Sequence, residues 1–337
     1  MLHALQKTLA ALAVLMVVDT TAHAQSAQPV ASHVKVIQAE NYIHTVVDLD
    51  KSFAFYRDVI GFEVLRAPGA GISNAVLQRL TNTAGAQFRS AAFKIQGTDA
   101  GLLLTEFNNI TRTPSQPKNA DPGASTMVLT FRDLDKVLAA ATQAHAPVVT
   151  RGSKPISMRP GMRAIFIKDP DGFFIELSQI DPTPASSASA NSNVVTARIA
   201  FTVADSAPVL SFYRDVLGFE VKPPAAFTVN KAVNELVDAP GMEFRSSYAK
   251  VPGTALDWEF VEFKGVAQRA YRGNVQDPGT AAASLVVSDV RAALAAAKTA
   301  GASIVSASGE AVMGDKGGGS VFIRDPGGIL LELMQKP

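Results

Sequence analysis

There is no cysteine anywhere in the 337 residues. Its absence excludes disulfides, thiolate metal ligands, thiol nucleophiles and a lipidated cysteine, so the fold must rest on packed cores. Histidine is scarce as well: of five, only His33, His44 and His145 lie beyond residue 24. Zinc, iron and nickel centres want imidazole or thiolate among their ligands, so such a centre has little to draw on here. Charge of one sign is missing too. Lys and Arg number 31 against 30 Asp and Glu, and no basic or acidic run stands out. No nucleic-acid partner is therefore expected, nor an anionic membrane surface. Among long apolar runs there is one candidate, residues 9–18, and it is well short of the ~20 residues a bilayer span needs.

What the chain does have is a repeat. Phe55-Tyr56-Arg57-Asp58-Val59-Ile60-Gly61-Phe62-Glu63-Val64 returns as Phe212-Tyr213-Arg214-Asp215-Val216-Leu217-Gly218-Phe219-Glu220-Val221. Phe88-Arg89-Ser90 returns as Phe244-Arg245-Ser246, and Gly97-Thr98 as Gly253-Thr254. Asp121-Pro122-Gly123 matches Asp277-Pro278-Gly279, and Asp169-Pro170-Asp171-Gly172 matches Asp325-Pro326-Gly327-Gly328. The offset is 157 residues at Phe55 and 156 at Phe88. Solenoid repeats run roughly 20–50 residues, so this is a duplicated domain. Each proposed site can be checked against its counterpart.

Two segments punctuate the copies. Lys7, the apolar run and Ala22-His23-Ala24 fit a cleavable signal peptide over residues 1–24, which implies a periplasmic or secreted protein that leaves the membrane after cleavage. Residues 25–35 then form a flexible leader. The small, polar, proline-containing stretch from Asp181 to Asn193 has nothing to bury and reads as a linker. The expected modules are 36–182 and 194–337, joined by 183–193.

Within each copy the pattern mixes strand and helix, an α+β class. Residues 41–47 read as a strand, after which Asp48 caps a helix carrying Leu49, Phe53, Tyr56 and Ile60 at helical spacing, ended by Gly61. Strands follow at 87–95 and 102–107. The order then restarts with strand 126–131, helix 133–144 and strands 164–168 and 173–179, the last pair joined by a turn at Asp169-Pro170-Asp171-Gly172. Insertions at 71–86 and 227–241 hold helix-like runs, 74–81 and 230–237, able to narrow a cleft mouth. Gly314-Asp315-Lys316-Gly317-Gly318-Gly319-Ser320 is no phosphate loop, because a strand and not a helix follows it. A mobile loop over the second copy's cleft is the expectation there.

A strand, then Asp-Leu-x-x-Ser-x-x-Phe-Tyr-x-Asp-x-Ile-Gly-Phe from Asp48, then Asp-Pro-x-Gly-x-x-x-Glu-Leu from Asp169, resembles the vicinal oxygen chelate superfamily of glyoxalase I, fosfomycin and bleomycin resistance proteins and extradiol dioxygenases. The resemblance covers both copies. It implies tandem modules, each of paired βαβββ units whose strands curl around a cleft that holds a divalent metal or a bare ligand pocket. In metal-using relatives the ligands, typically His, Gln or Glu, come from the first, pre-midpoint, fifth and last strands.

Carried onto this chain, the first-strand position falls on Asn41 and Arg198, and the fifth-strand position on Thr126 and Ala282. Glu106 and Glu262 lie on the pre-midpoint strands, Glu176 and Glu332 on the last strands. Both histidine positions are lost in both copies. His44 is the one histidine with a case as a ligand, against a core role, since its strand parity differs from that of Asn41. An Arg at the first position disfavours a nearby cation and suits an ion pair with Glu332 or Glu262. Glu106 and Glu176 are read as the catalytic or acid/base pair, and with His44 as the only metal candidates. Asn41, Thr126, Arg198, Trp258, Phe260, Glu262 and Glu332 are read as ligand-binding, although Trp258 and Phe260 also suit a core. Arg89 and Arg245 suit a structural role between strands.

The expected function is binding of a small organic molecule without a cofactor. The alternative is a divalent-metal lyase, isomerase or dioxygenase acting through module one. A monomer with a pseudo-dimeric pair of modules and a homo-oligomer both remain open.

Overall fold

A computed structural model describes residues 34–254 and 256–337; the signal segment and most of the leader lie outside them. Four units follow one another. Unit I comprises β1 (Val36–Thr45), α1 (Leu49–Ala54), β2 (Glu63–Arg66), β3 (Ile72–Ser73), α2 (Ala75–Thr81), β4 (Gln87–Lys94) and β5 (Gly101–Asn108). Unit II has β6 (Ser125–Phe131), α3 (Leu134–Gln143), β7 (Ile156–Arg159), β8 (Met162–Lys168) and β9 (Phe174–Ile180). Unit III has β10 (Val194–Thr202), α4 (Ser206–Ser211), β11 (Glu220–Lys222), β12 (Thr228–Val229), α5 (Lys231–Leu236), β13 (Glu243–Lys250) and β14 (Asp257–Lys264). Unit IV has β15 (Ala281–Val287), α6 (Val290–Thr299), β16 (Ser303–Ile304), β17 (Val312–Met313), β18 (Gly319–Arg324) and β19 (Leu330–Gln335).

The main helix of every unit starts the same way. Asp48, Asp133, Asp205 and Asp289 each accept a first-turn backbone N–H on the side chain, which satisfies a donor the helix leaves unpaired. In units I and III the helix widens into a π-turn through the repeated Phe-Tyr-Arg-Asp, Phe55–Ile60 and Phe212–Val216. Gly61 ends the first of these in the left-handed conformation, at φ 83°.

The strands form two mixed sheets, as the α+β reading with paired βαβββ units requires, but the pairing crosses between copies. One sheet runs β16-β18-β19-β15-β1-β5-β4-β2 and joins unit I to unit IV. The other runs β11-β13-β14-β10-β6-β9-β8-β7 and joins unit II to unit III. The seams are antiparallel, with Asn41 opposite Ser284 and Arg198 opposite Val128. So each cleft is built from one unit of each copy, not from two units of the same copy. Strand periodicity fixes which face a side chain takes but says nothing about which edge its strand will join. The main hydrophobic core nevertheless draws on all four units, including Tyr56, Leu129, Trp258 and Leu294.

The exchange explains the repeated short motifs. Asp277 accepts Thr113 N–H of the first crossover loop at 2.8 Å, and Asp121 accepts Arg269 N–H of the second at 2.8 Å. Each Asp uses its other oxygen within its own loop, from Lys118 N–H and Asn274 N–H. Tyr271 N–H donates to Pro122 O and Ser115 N–H to Pro278 O, closing a reciprocal joint. The Gly-Thr turns form a second joint, because a Cβ at Gly97 would overlap the carbonyl of Val195, and one at Gly253 that of Ile37. Asp169-Pro170-Asp171-Gly172 instead ties unit II to unit I. Asp171 accepts Val47 N–H at 2.7 Å and Ser52 O–H at 2.6 Å, while Asp169 accepts Tyr56 O–H at 2.9 Å. The glycine-rich run at 314–320 forms a tight turn between the paired strands β17 and β18, in which Gly314 N–H bonds Gly318 O.

Candidate functional site

The sheets expose two clefts of unequal character. In the first, between units I and IV, alternate residues of β1 and β5 point apart. Tyr42, Val46, Leu102 and Leu104 go to the main core, whereas Ile43, Thr45, Leu103, Thr105 and Phe107 line a cavity of about 580 Å³. Phe88 comes from β4, Phe322 from β18, and Leu77, Leu80 and Thr81 from α2, the helix inside the 71–86 insertion. α2 reaches across to unit IV, where Ser306 O–H donates to Leu80 O at 2.7 Å. Glu332 is the one carboxylate in this lining, and it accepts Ser320 O–H at 2.6 Å. Burial holds its carboxyl above the ordinary range, with Glu40 adding to the rise.

The second cleft, between units II and III, is polar where the first is apolar. Arg198 on β10 puts Nε 2.9 Å from Glu259 on β14. The Nε–H finds no well-aimed acceptor, so charge and not hydrogen-bond geometry holds this pair. Tyr248 O–H donates to Glu259 at 3.1 Å, and burial together with that acid pushes its hydroxyl up to about 12. Glu176 on β9 shares the site. Burial raises its carboxyl to about 7, Arg198 opposing the shift and Glu259 adding to it. α5 covers one side of this cleft: Leu236 packs with Ala164, Phe166 and Phe174, and its carbonyl accepts Thr150 O–H at 2.9 Å.

Several expectations need correction on position. Glu106 and Glu176 do not meet. They belong to different sheets, and Glu106 faces the helices, accepting Leu49 N–H at the start of α1 and pairing with Arg89 at 3.0 Å. Glu262 does the same with Arg245, at 2.8 and 3.0 Å, so both arginines link neighbouring strands as expected. Trp258 and Phe260 lie in the main core against Phe201 and Tyr213, not in a cleft. His44 is fully buried, 3.3 Å from Asp169 and packed at a tilt against Phe173, on the core side of β1. Arg198 pairs with Glu259, not with Glu332 or Glu262. Asn41 lies opposite Ser284 in the first sheet and borders a separate surface cavity with Gln38 and Glu40. Thr126 stays with Glu176 in the second sheet, its hydroxyl accepting from Asn119 at 3.0 Å.

Glu259 is the residue the sequence reading missed. The signal was there: once Trp258 and Phe260 are assigned to the core, alternation turns Glu259 to the opposite face.

The resemblance implies a divalent metal, and the residues present do not fit one. In the second cleft the guanidinium of Arg198, at a would-be ligand position, pairs with Glu259 and acts on Glu176, so a cation there would meet like charge. In the first cleft the matching positions hold Asn41 and Ala282, leaving Glu332 as the lone acid of the lining. Among the described residues no three His, Asp or Glu side chains gather as a metal-binding group.

Comparison with known proteins agrees with this architecture. Residues 40–177 and 196–333 each match the Glyoxalase/Bleomycin resistance protein/Dioxygenase superfamily. The glyoxalase I structure from Zea mays aligns with a TM-score of 0.58 at 18% identity, covering 90% of this chain and 92% of that one. A putative dioxygenase from Bacillus subtilis aligns with a TM-score of 0.54 at 11% identity, over 90% and 86%. At such identities these likenesses speak for the fold. No curated protein matches the chain. The chain thus belongs to the glyoxalase, bleomycin resistance protein and dioxygenase superfamily, as a tandem duplicate.

Proposed function

We propose that this protein binds a small, mainly apolar organic molecule in the first cleft, without metal chemistry. One observation carries the reading: a cavity of about 580 Å³ lined by Ile43, Leu103, Phe88, Phe107 and Phe322 around a single carboxylate. Pockets for small organic ligands fall at roughly 300–1,000 Å³ and have mostly apolar walls with few polar groups. The neutral fluorophore N-phenyl-1-naphthylamine should bind here and brighten. Leu103→Trp, which fills the open space, should weaken that binding at least tenfold while leaving the melting temperature within a few degrees. Undiminished fluorescence in this variant would remove the cleft from consideration.

A second reading rests on Glu176. A carboxyl near 7, beside Arg198, Glu259 and Tyr248, is poised to exchange a proton at neutral pH. It supports metal-free acid–base chemistry of the lyase or isomerase kind in the second cleft, with Glu176 as the proton-transfer group. Export is part of the proposal as well. Mature protein from a Gram-negative host should begin at Gln25, and an intact mass retaining residues 1–24 would contradict it.

A further inference from the structure

Glu332 and Glu176 hold the same place in the two copies, yet the charge beside them differs. In the second cleft the acid has a cation beside it, Arg198, whose charge favours ionised Glu176. At the position of Arg198 the first sheet carries Asn41. Ser320 donates a hydrogen bond to Glu332, and among the described residues no Lys, Arg or His nitrogen comes within 4.0 Å of it. Glu40, the nearby acid, is already answered by Lys336 at 2.8 Å. Among the described residues the first cleft therefore has an acid with no ion-pair partner of its own.

The walls around it suit a cation. Phe322 stands opposite Glu332 in the β18–β19 register, and Phe88 and Phe107 pack ring to ring, with centroids 5.1 Å apart, in the same lining. Aromatic faces attract ammonium groups through the ring quadrupole, most strongly where water is excluded. Arg66 stands in the same lining, bonded to Ser90 at 3.0 Å; its like charge opposes any cation, so the cleft has room for a single positive group held at Glu332 and none for a second.

We infer that the first cleft takes a lipophilic monocation, an amine whose ammonium group meets Glu332 while its hydrocarbon body lies among Phe88, Phe107, Phe322 and Leu103. This rests on the first cleft being the ligand site. The ammonium supplies from outside the positive charge that Arg198 supplies from inside the second cleft. Burial raises the Glu332 carboxyl, and an ammonium at hydrogen-bond distance draws it back towards ionisation.

The test compares three probes of one shape by calorimetric titration of the full chain: 4-phenylbutylamine, 4-phenylbutan-1-ol and 4-phenylbutyrate. The amine should bind at least tenfold more tightly than the alcohol, and the carboxylate most weakly. Glu332→Gln, which keeps an acceptor for Ser320, should bring the amine down to the level of the alcohol and leave the alcohol within about twofold. Binding of the alcohol without preference for the amine overturns the charge assignment and leaves the apolar site standing. Failure of all three probes and of N-phenyl-1-naphthylamine overturns both. The wild-type comparison decides the matter even if Glu332→Gln fails to fold.

Discussion

Gly253→Ala is expected to destabilise the fold by roughly 3–5 kcal/mol, among the largest effects a single methyl group can have. Two costs combine. Gly253 has φ 71°, a conformation that L side chains rarely adopt, and its new Cβ would overlap the carbonyl of Ile37 at the start of β1. Backbone cannot rotate away as a side chain can. The added methyl would push the β13–β14 turn off the first strand of the other copy and open the joint between the sheets. Gly97→Ala should behave alike, against Val195. Gly85→Ala is the control, since Gly85 has φ 82° but nothing within 4 Å of its would-be Cβ. It should cost only the backbone term, on the order of 1 kcal/mol. Urea denaturation of the three variants separates the two costs. Equal losses at Gly253 and Gly85 would mean that the turns do not bear on the opposing strands.

The second large effect is a dependence of stability on pH that Glu176→Gln should reduce. Folding raises the Glu176 carboxyl to about 7 from its ordinary value near 4.5. The native state then holds a proton that the unfolded chain releases. Stability is accordingly greatest below about 4.5, falls as pH rises through the window, and levels off above about 7. The drop for this one group is on the order of 3 kcal/mol. Asp325, likewise raised to about 7 by burial, adds to the fall in the same direction. Glu176→Gln stays neutral throughout, so it should melt close to wild type at pH 5 and higher than wild type at pH 8. A variant less stable than wild type at pH 8 would show that ionised Glu176 is held favourably, by Arg198, and reverse the sign.

Much of this architecture could be read from the chain alone, because the signals concerned are local. Asp48, Asp133, Asp205 and Asp289 mark helix starts through a hydrogen bond made within a few residues, and Gly61 marks an end for an equally local reason. The duplication is plain in Phe-Tyr-Arg-Asp. The pairing of β1 with β15 and of β10 with β6 is not legible, since a strand edge carries no address for its partner. The site suffered twice from that. Glu106 and Glu176 read as a pair in the sequence, although different sheets hold them. Glu106 was placed in a cleft although Arg89 and the first turn of α1 claim it. The core role of Trp258 and Phe260 was open in the sequence, and choosing it would have brought Glu259 into view.

The crossed seams bear on ancestry. An arrangement in which every sheet takes a unit from each copy is what two identical chains would make as a symmetric dimer, here joined through residues 181–193. In such a dimer any substitution alters both clefts at once, so an arginine that fills one fills the other. Joining the chains end to end breaks that bond, and the sequence shows the result: Arg198 and Glu259 on one side, Asn41 and Leu103 on the other. Neither copy owns a cleft. Within one polypeptide an apolar chamber and a polar one can be inherited separately.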